Sequence, residues 1–228
     1  MGNYFNRSQT MSMFTHSRAV NKSLMQCAAS LGLACLLAST AGAVDTLEIA
    51  RAYDDGGGYD NTWKGSGVPQ EIRFQNERIL AKGKGTYCCG FTFAVVMEAA
   101  RERGLLQDKS AEEVRAFQKQ WYGATEESRE IQCALAVQTL GIGQRVESDD
   151  ARPGDFLQFW RTNKSGHSVV FLDWVMDGGQ RVGFKYRSSQ GSTKGIGDRV
   201  EYFSTPAGKE GQVVRERMYF SRLDEKGR

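Results

Sequence analysis

Hydrophobic periodicity changes once along this chain, near Gly141, and does not change back. Before that point Phe91, Val95 and Ala99 recur four apart beside Val96, Met97 and Ala100. This predicts a buried helix over 88–103, stopped by Gly104. Ser110-Ala-Glu-Glu113 has the spacing of a capping box and opens a second helix through Val114, Phe117 and Trp121. A third is expected from Ser128 to about Leu140, burying Ile131, Leu135 and Cys133, with Gly141 as its end. Beyond Gly141 the period becomes two and β-forming residues dominate, giving strands over 156–160, 168–172, 182–186 and 213–220. Their links are short and glycine-bearing, as in Asp177-Gly178-Gly179. Helices first and hairpin-linked strands afterwards mean an α+β fold on an antiparallel sheet, because βαβ units would require the two periods to alternate. The segment 44–53 shows a short mixed apolar pattern, and Asp54-Asp55-Gly56-Gly57-Gly58 is a loop by composition. Residues 59–86 are irregular apart from short runs at Ile72–Phe74 and Ile79–Leu80. No repeat or low-complexity linker divides 44–228, which reads as a single domain.

The first 43 residues follow a different logic. Residues 1–22 are polar and basic, 23–38 are apolar and uncharged, and 41–43 read Ala-Gly-Ala. That is the layout of a secretory signal, with cleavage expected after Ala43 and a secreted or periplasmic product. Retention as an N-terminal anchor is the alternative, against which Gln26, Ser30, Ser39 and Thr40 weigh. The formal charge of the 228-residue chain is +3, from 30 Lys and Arg against 27 Asp and Glu. Arg7, Arg18 and Lys22 account for the whole surplus, since no acid precedes Asp45. The body is formally neutral, so a nucleic-acid partner is not expected. With 40% hydrophobic and 25% charged residues, neither wholesale disorder nor a multi-span membrane protein fits.

Cleavage would leave three cysteines, Cys88, Cys89 and Cys133, and one histidine, His167. An odd thiol count in an oxidising compartment leaves at least one thiol unpaired. Cys88 follows Gly83-Lys-Gly-Thr-Tyr87 and opens a helix. There, free N–H groups and the positive helix end favour the thiolate and can stabilise an oxyanion. His167 stands in Ser165-Gly-His-Ser-Val-Val at the start of a strand. A thiol at a helix start facing a strand histidine is an arrangement for acyl transfer. Taken singly, a buried Cys is more often inert and a lone His more often a satisfied polar residue. The conjunction of the two, in an exported chain with an unpaired thiol, favours the chemical reading.

These residues carry a resemblance. Tyr87-Cys-Cys-Gly-Phe-Thr92 resembles the Asp-Cys-Ser-Gly-Phe motif of NlpC-type cell-wall cysteine peptidases. Arg152-Pro-Gly-Asp-Phe-Leu-Gln-Phe159 is similar to their Pro-Gly-Asp-Leu segment, and Gly166-His-Ser-Val-Val-Phe-Leu172 to their histidine strand. The motifs come in the family's order over roughly 62–197, and related CHAP-type amidases share the Cys-then-His plan. The resemblance implies a papain-like fold, with the Cys helix packed on the antiparallel sheet that carries the His. It also implies hydrolysis of amide bonds in peptidoglycan stem peptides; a monomer without a cofactor is expected. By position, Cys88 would be the nucleophile and His167 the general base.

The chain departs from the pattern in three ways. Tyr87 replaces the acidic residue before the Cys, two helices over about 106–142 are inserted, and the residue orienting the His ring has no clear match. Gln190 is the choice for that role because its amide oxygen can accept the ring N–H; Ser189, Ser188 and Asp173 are the other candidates. Cys89 is the rival nucleophile and otherwise a core thiol, open to pairing with Cys133. Trp63, Trp160 and Tyr87 are groove candidates for which ordinary packing is the default. Lys82, Lys84, Lys185 and Arg187 are candidates for meeting substrate carboxylates, with solvated surface as the default. One histidine and no spaced cysteine pairs supply no metal site. A catalytically inactive papain-like module that binds a wall or protein ligand, and acyl transfer to an amine, are the alternative functions.

Overall fold

The computed structural model describes residues 45–204 and 211–225, so the expected export segment lies outside the described residues. The chain begins with a helix where only a mixed apolar pattern was legible. Asp45 Oδ1 accepts the Leu47 N–H at 3.0 Å and caps α1 (Thr46–Ala52), which buries Leu47, Ile49 and Ala50. Seven residues are too few for a helical period to stand out, but the Asp cap is a local signal that could have been read. After the two-residue strand β1 (Gly56–Gly57), the short runs of the irregular region pair as a separate hairpin of β2 (Ile72–Phe74) and β3 (Glu77–Leu80).

The long helix α2 (Cys88–Glu102) is apolar on nearly every side because it runs through the core, and Gly104 at φ +70° follows its end. In α3 (Ala111–Trp121) the capping box is present, with Ser110 and Glu113 bonded reciprocally. The third expected helix is two: α4 (Ser128–Ile131) and α5 (Cys133–Leu140), separated by Gln132 at φ +35°, ψ −102°. The break has a tertiary cause. The Glu130 carbonyl accepts the Trp160 indole N–H at 2.8 Å, and its carboxylate takes two bonds from Arg217, at 2.8 and 2.6 Å. These hold α4 to the sheet, while α5 buries Cys133, Ala136 and Val137 in the core. A one-residue break leaves the apolar spacing almost intact, so periodicity does not reveal it.

The remaining strands are β4 (Gly143–Val146), β5 (Phe156–Arg161), β6 (Gly166–Asp177), β7 (Gln180–Gln190), β8 (Gly195–Tyr202) and β9 (Val213–Leu223). They form one sheet in the order β1-β8-β7-β6-β5-β9-β4, antiparallel at every pairing. The protein is therefore α+β with an antiparallel sheet. One difference matters for the site. Ser188, Ser189 and Gln190 belong to the third expected strand, which extends well past residue 186.

Two cores flank the sheet. The helices and Phe156, Val170 and Ile196 make one; Leu157, Phe159, Val169, Phe171, Phe184 and Tyr186 make the other. Alternation along β5 and β6 sends successive side chains to opposite cores. Phe203, just past β8, bridges to Val213 at the start of β9 although three strands lie between them in the sheet. The sheet therefore curls around its second core.

The Arg152-Pro-Gly-Asp155 segment proves structural. Asp155, 2% exposed, accepts the Arg152 N–H at 2.7 Å and both Nε and Nη2 of Arg222, at 2.7 and 2.8 Å. Its backbone pairs with Phe171, so the motif ties the start of β5 to β6 and β9. Asp155→Ala would orphan a half-buried guanidinium and a backbone donor. It is expected to cost about 3 kcal/mol, read as a lower urea midpoint, and an unchanged midpoint would refute the assignment.

Candidate active site

The site starts from two glycines. A Cβ on Gly90, in the first turn of α2, would lie 2.2 Å from the Gly67 carbonyl oxygen, and one on Gly67 would lie 2.5 Å from the Tyr87 ring. The 65–67 loop thus rests directly on the helix start, with Gly67 at φ +67°. Tyr87 is held from both ends, its N–H donating to Gly67 O at 3.3 Å and its hydroxyl to Gly65 O at 2.6 Å. The next residue, Cys88, is the first of α2 and is buried. Gly90 follows the cysteines because only a residue without Cβ permits this approach.

His167 sits second on β6, its ring between Phe159 and Tyr186 at centroid distances of 5.7 and 5.5 Å. Behind them Tyr186 donates to Glu201 Oε1 at 3.0 Å, and Glu201 is paired with Arg161. The β6–β7 register, with Val170 opposite Arg187, places Gln190 opposite His167 when continued three residues. Gln190 Nε2 donates to Thr193 Oγ1 at 2.7 Å and to Gly197 O at 3.3 Å, which turns Oε1 toward His167 Nε2 at 3.3 Å. A carbonyl oxygen only accepts, so Nε2 carries the proton and Nδ1 is left to serve the thiol.

The thiols differ in character. A hydrogen bond from the Cys89 thiol, then the charge and hydrogen bond of His167 and the Ser168 backbone N–H, hold Cys88 well below the usual thiol range. Together they outweigh the opposing effect of burial. Cys89, with Sγ 3.8 Å from Cys88 Sγ, is raised by that same bond, by burial and by the neighbouring charge. Burial pushes the Cys133 thiol up to about 12. All three are free thiols, so the expected option of a Cys89–Cys133 disulfide is not realised; Cys133 is packed in the helix-side core.

Above Cys88 and His167 opens a cavity of about 340 Å³. Trp63, Tyr87 and Trp160, for which packing was the default, all line it. So do Tyr122, Gln132, Gln158 and Ser168, which the sequence reading did not single out as site residues. Tyr122 and Gln132 come from the inserted helical region, which therefore narrows the cavity. Ser168 Oγ lies 2.6 Å from Gln158 Oε1 and 3.8 Å from Cys89 Sγ. Gln158 and Ser168 alternate with the second-core residues Leu157, Phe159 and Val169 along β5 and β6. A polar residue on the helix-facing side of a buried strand was the available signal.

The rival orienting residues go elsewhere. Ser188 Oγ donates to Ser168 O at 2.7 Å, Ser189 Oγ meets Thr86 Oγ1 at 2.7 Å, and Asp173 is exposed beside Trp174 N. Lys82, Lys84 and Lys185 are exposed and do not line the cavity. Arg187 corrects both of its expected roles. It is buried, donating to Ala50 O and Tyr53 O and pairing with Asp55 and Asp198, and thereby clasps the N-terminal segment to β7 and β8.

No family model, curated protein or solved structure matches the chain. The chemistry must therefore be read from the site. A depressed thiol at a helix start, a histidine whose Nδ1 is left for that thiol and a glutamine carbonyl behind the ring can together attack an acyl carbon. They can also return a proton to the leaving group. Among the described residues no group of three or more His, Cys, Asp or Glu is placed to hold a metal ion. Nor is any helix among them long and apolar enough to cross a membrane.

Proposed function

We propose that this chain is an exported, papain-like cysteine amidase or endopeptidase that hydrolyses amide bonds of peptidoglycan stem peptides as a monomer without a cofactor. The observation that carries the chemical part is the Gln190 amide. Clamped by Thr193 and Gly197, it offers His167 Nε2 an acceptor and leaves Nδ1 toward the cysteines. The substrate part rests on the resemblance of the motifs around Cys88 and His167 to the NlpC-type pattern. The Cys88 thiolate attacks the carbonyl carbon, and the first-turn N–H groups of α2 are disposed to receive the developing oxyanion. His167 then protonates the leaving amine, and water resolves the thioacyl-enzyme with His167 as base.

The test is digestion of purified peptidoglycan with mass analysis of the released peptides, in which new amino and carboxyl ends identify the bond. Wild-type protein that releases no peptide would overturn the substrate. Gln190→Ala is expected to slow release about 10- to 100-fold. Because Gln190 stabilises the imidazolium that holds Cys88 ionised, the acid limb of the pH–rate profile should also move to higher pH. A slowed variant with an unmoved limb would make Gln190 merely structural.

A further inference from the structure

The cavity above Cys88 is built from aromatic rings whose polar ends are already engaged elsewhere. The Tyr87 hydroxyl donates to Gly65 O at 2.6 Å, the Tyr122 hydroxyl to Ser66 O at 2.7 Å and the Trp160 indole N–H to Glu130 O at 2.8 Å. What they offer the cavity is ring surface. Among the described residues lining it there is no Asp, Glu, Lys or Arg. The cation stacked on Trp160, Arg217, is bound bidentately to Glu130. Beyond the Cys88–His167 pair, whose charges already offset each other, a charged side chain entering this space would lose its hydration without gaining a counter-charge.

Backbone strain marks the same place. Six non-glycine residues among those described have positive φ, and two of them, Trp63 at +57° and Gln132 at +35°, line this one cavity. A bulky residue at such a φ is costly and persists where its surroundings hold it. Trp63 is 56% exposed and leans on Tyr87 at a 5.3 Å centroid distance, so its indole stands at the mouth rather than in the core. Gln132 Oε1 lies 3.3 Å from Ser168 Oγ, whose single proton goes to Gln158 Oε1 at 2.6 Å, while its Nε2 is turned to Arg129 O at 3.4 Å and rests against Gly123. The amide thus presents its oxygen, an acceptor, to the cavity.

We propose that this cavity selects amides whose carbonyl-bearing residue has an uncharged, apolar side chain, with the Trp63 indole covering that side chain and Gln132 Oε1 accepting a substrate backbone N–H. This rests on Cys88 as the nucleophile and narrows the substrate of the proposed amidase. A volume of about 340 Å³ is at the small end for ligand sites and suits one such residue rather than a long polymer segment.

The test uses the full chain and four acetyl-dipeptidyl chloromethyl ketones that differ only in the residue next to the reactive group: Phe, Leu, Glu and Lys. Each alkylates a thiolate with loss of chloride, and intact-mass spectrometry gives the rate. Iodoacetamide, which needs no side-chain pocket, supplies the reference rate for Cys88. The Phe and Leu reagents are expected to react about tenfold or more faster than Glu and Lys. Trp63→Ala should remove about tenfold from the Phe rate and leave the iodoacetamide rate unchanged. Gln132→Ala should slow all four peptidyl reagents alike. Glu or Lys reagents as fast as Phe, or a Trp63→Ala variant that still discriminates, would overturn the proposal while Cys88 keeps its role. Failure of iodoacetamide to select Cys88 would instead overturn the nucleophile on which both readings rest.

Discussion

Cys88→Ala is expected to abolish amide hydrolysis, lowering kcat/KM by about four orders of magnitude or more, and His167→Ala to do nearly the same. The two groups act as one unit. Without the thiol there is no acyl acceptor, and without the imidazole the thiol loses the charge that keeps it ionised and the leaving amine loses its proton donor. The double variant should therefore be hardly slower than either single one, because each loss already removes the shared step. Folding is a separate matter. Cys88 is small and stands at a helix start, so its alanine variant should melt close to the parent. His167→Ala opens space between Phe159 and Tyr186, so His167→Gln serves as the better-filled companion. Normal turnover by a folded Cys88→Ala or His167→Gln protein would falsify the mechanism. The same preparations address the inactive-module reading, in which wild-type protein binds wall fragments and cleaves none.

A limiting dose of iodoacetamide near neutral pH should modify Cys88 alone. An ordinary thiol near 9.0 is about 1% ionised at pH 7, and one near 12, as at Cys133, roughly one part in 10⁵. Cys88 is held below the ordinary value by the Cys89 thiol, His167 and the Ser168 N–H, so its thiolate persists at pH values where Cys89 and Cys133 are protonated. A low-pKa thiolate is intrinsically a weaker nucleophile, which trims the advantage to an expected factor of about 100. The sign with pH follows from the cause. Lowering pH toward the depressed pKa quenches Cys88 only far on the acid side, whereas Cys89 and Cys133 gain reactivity only in strong alkali. Removing His167 deletes a stabilising charge, so His167→Gln should move the Cys88 profile to higher pH and slow its labelling near pH 6. Mass spectrometry of tryptic peptides across pH 5–9 would read both effects. Uniform labelling of the three cysteines would sink the assignment of Cys88, and an unshifted His167→Gln profile would remove the histidine from its activation.

Local signals were the dependable part of the sequence. The Ser110–Glu113 box, the glycines after α2 and α5, and the period-two runs of β5, β6, β7 and β9 act within a few residues and needed no partner to be read. Helix α1 escaped because about two turns carry almost no periodicity, and β4 and β8 because their burial does not alternate and glycines interrupt their apolar pattern. The break at Gln132 escaped for another reason: it arises from contacts of Glu130 with Trp160 and Arg217, which lie 30 and 87 residues away. Arg187 shows the same limit in reverse. A basic residue reads as surface until the carbonyls of Ala50 and Tyr53 are found around it.

By itself the sequence determined that the chain is α+β, that Cys88 opens a helix and that His167 begins a strand, because caps, glycine stops and side-chain period are properties of neighbouring residues. Only the tertiary structure decided which group stands behind His167. Gln190, Ser189 and Ser188 are successive residues of one strand, and a shift of one position would turn every side chain to the other face. The β6–β7 register and the clamp from Thr193 and Gly197 choose Gln190. The same is true of the cavity. Trp63, Tyr122, Gln132 and Trp160 are scattered over almost 100 residues, and no local pattern announces that they enclose one space above Cys88.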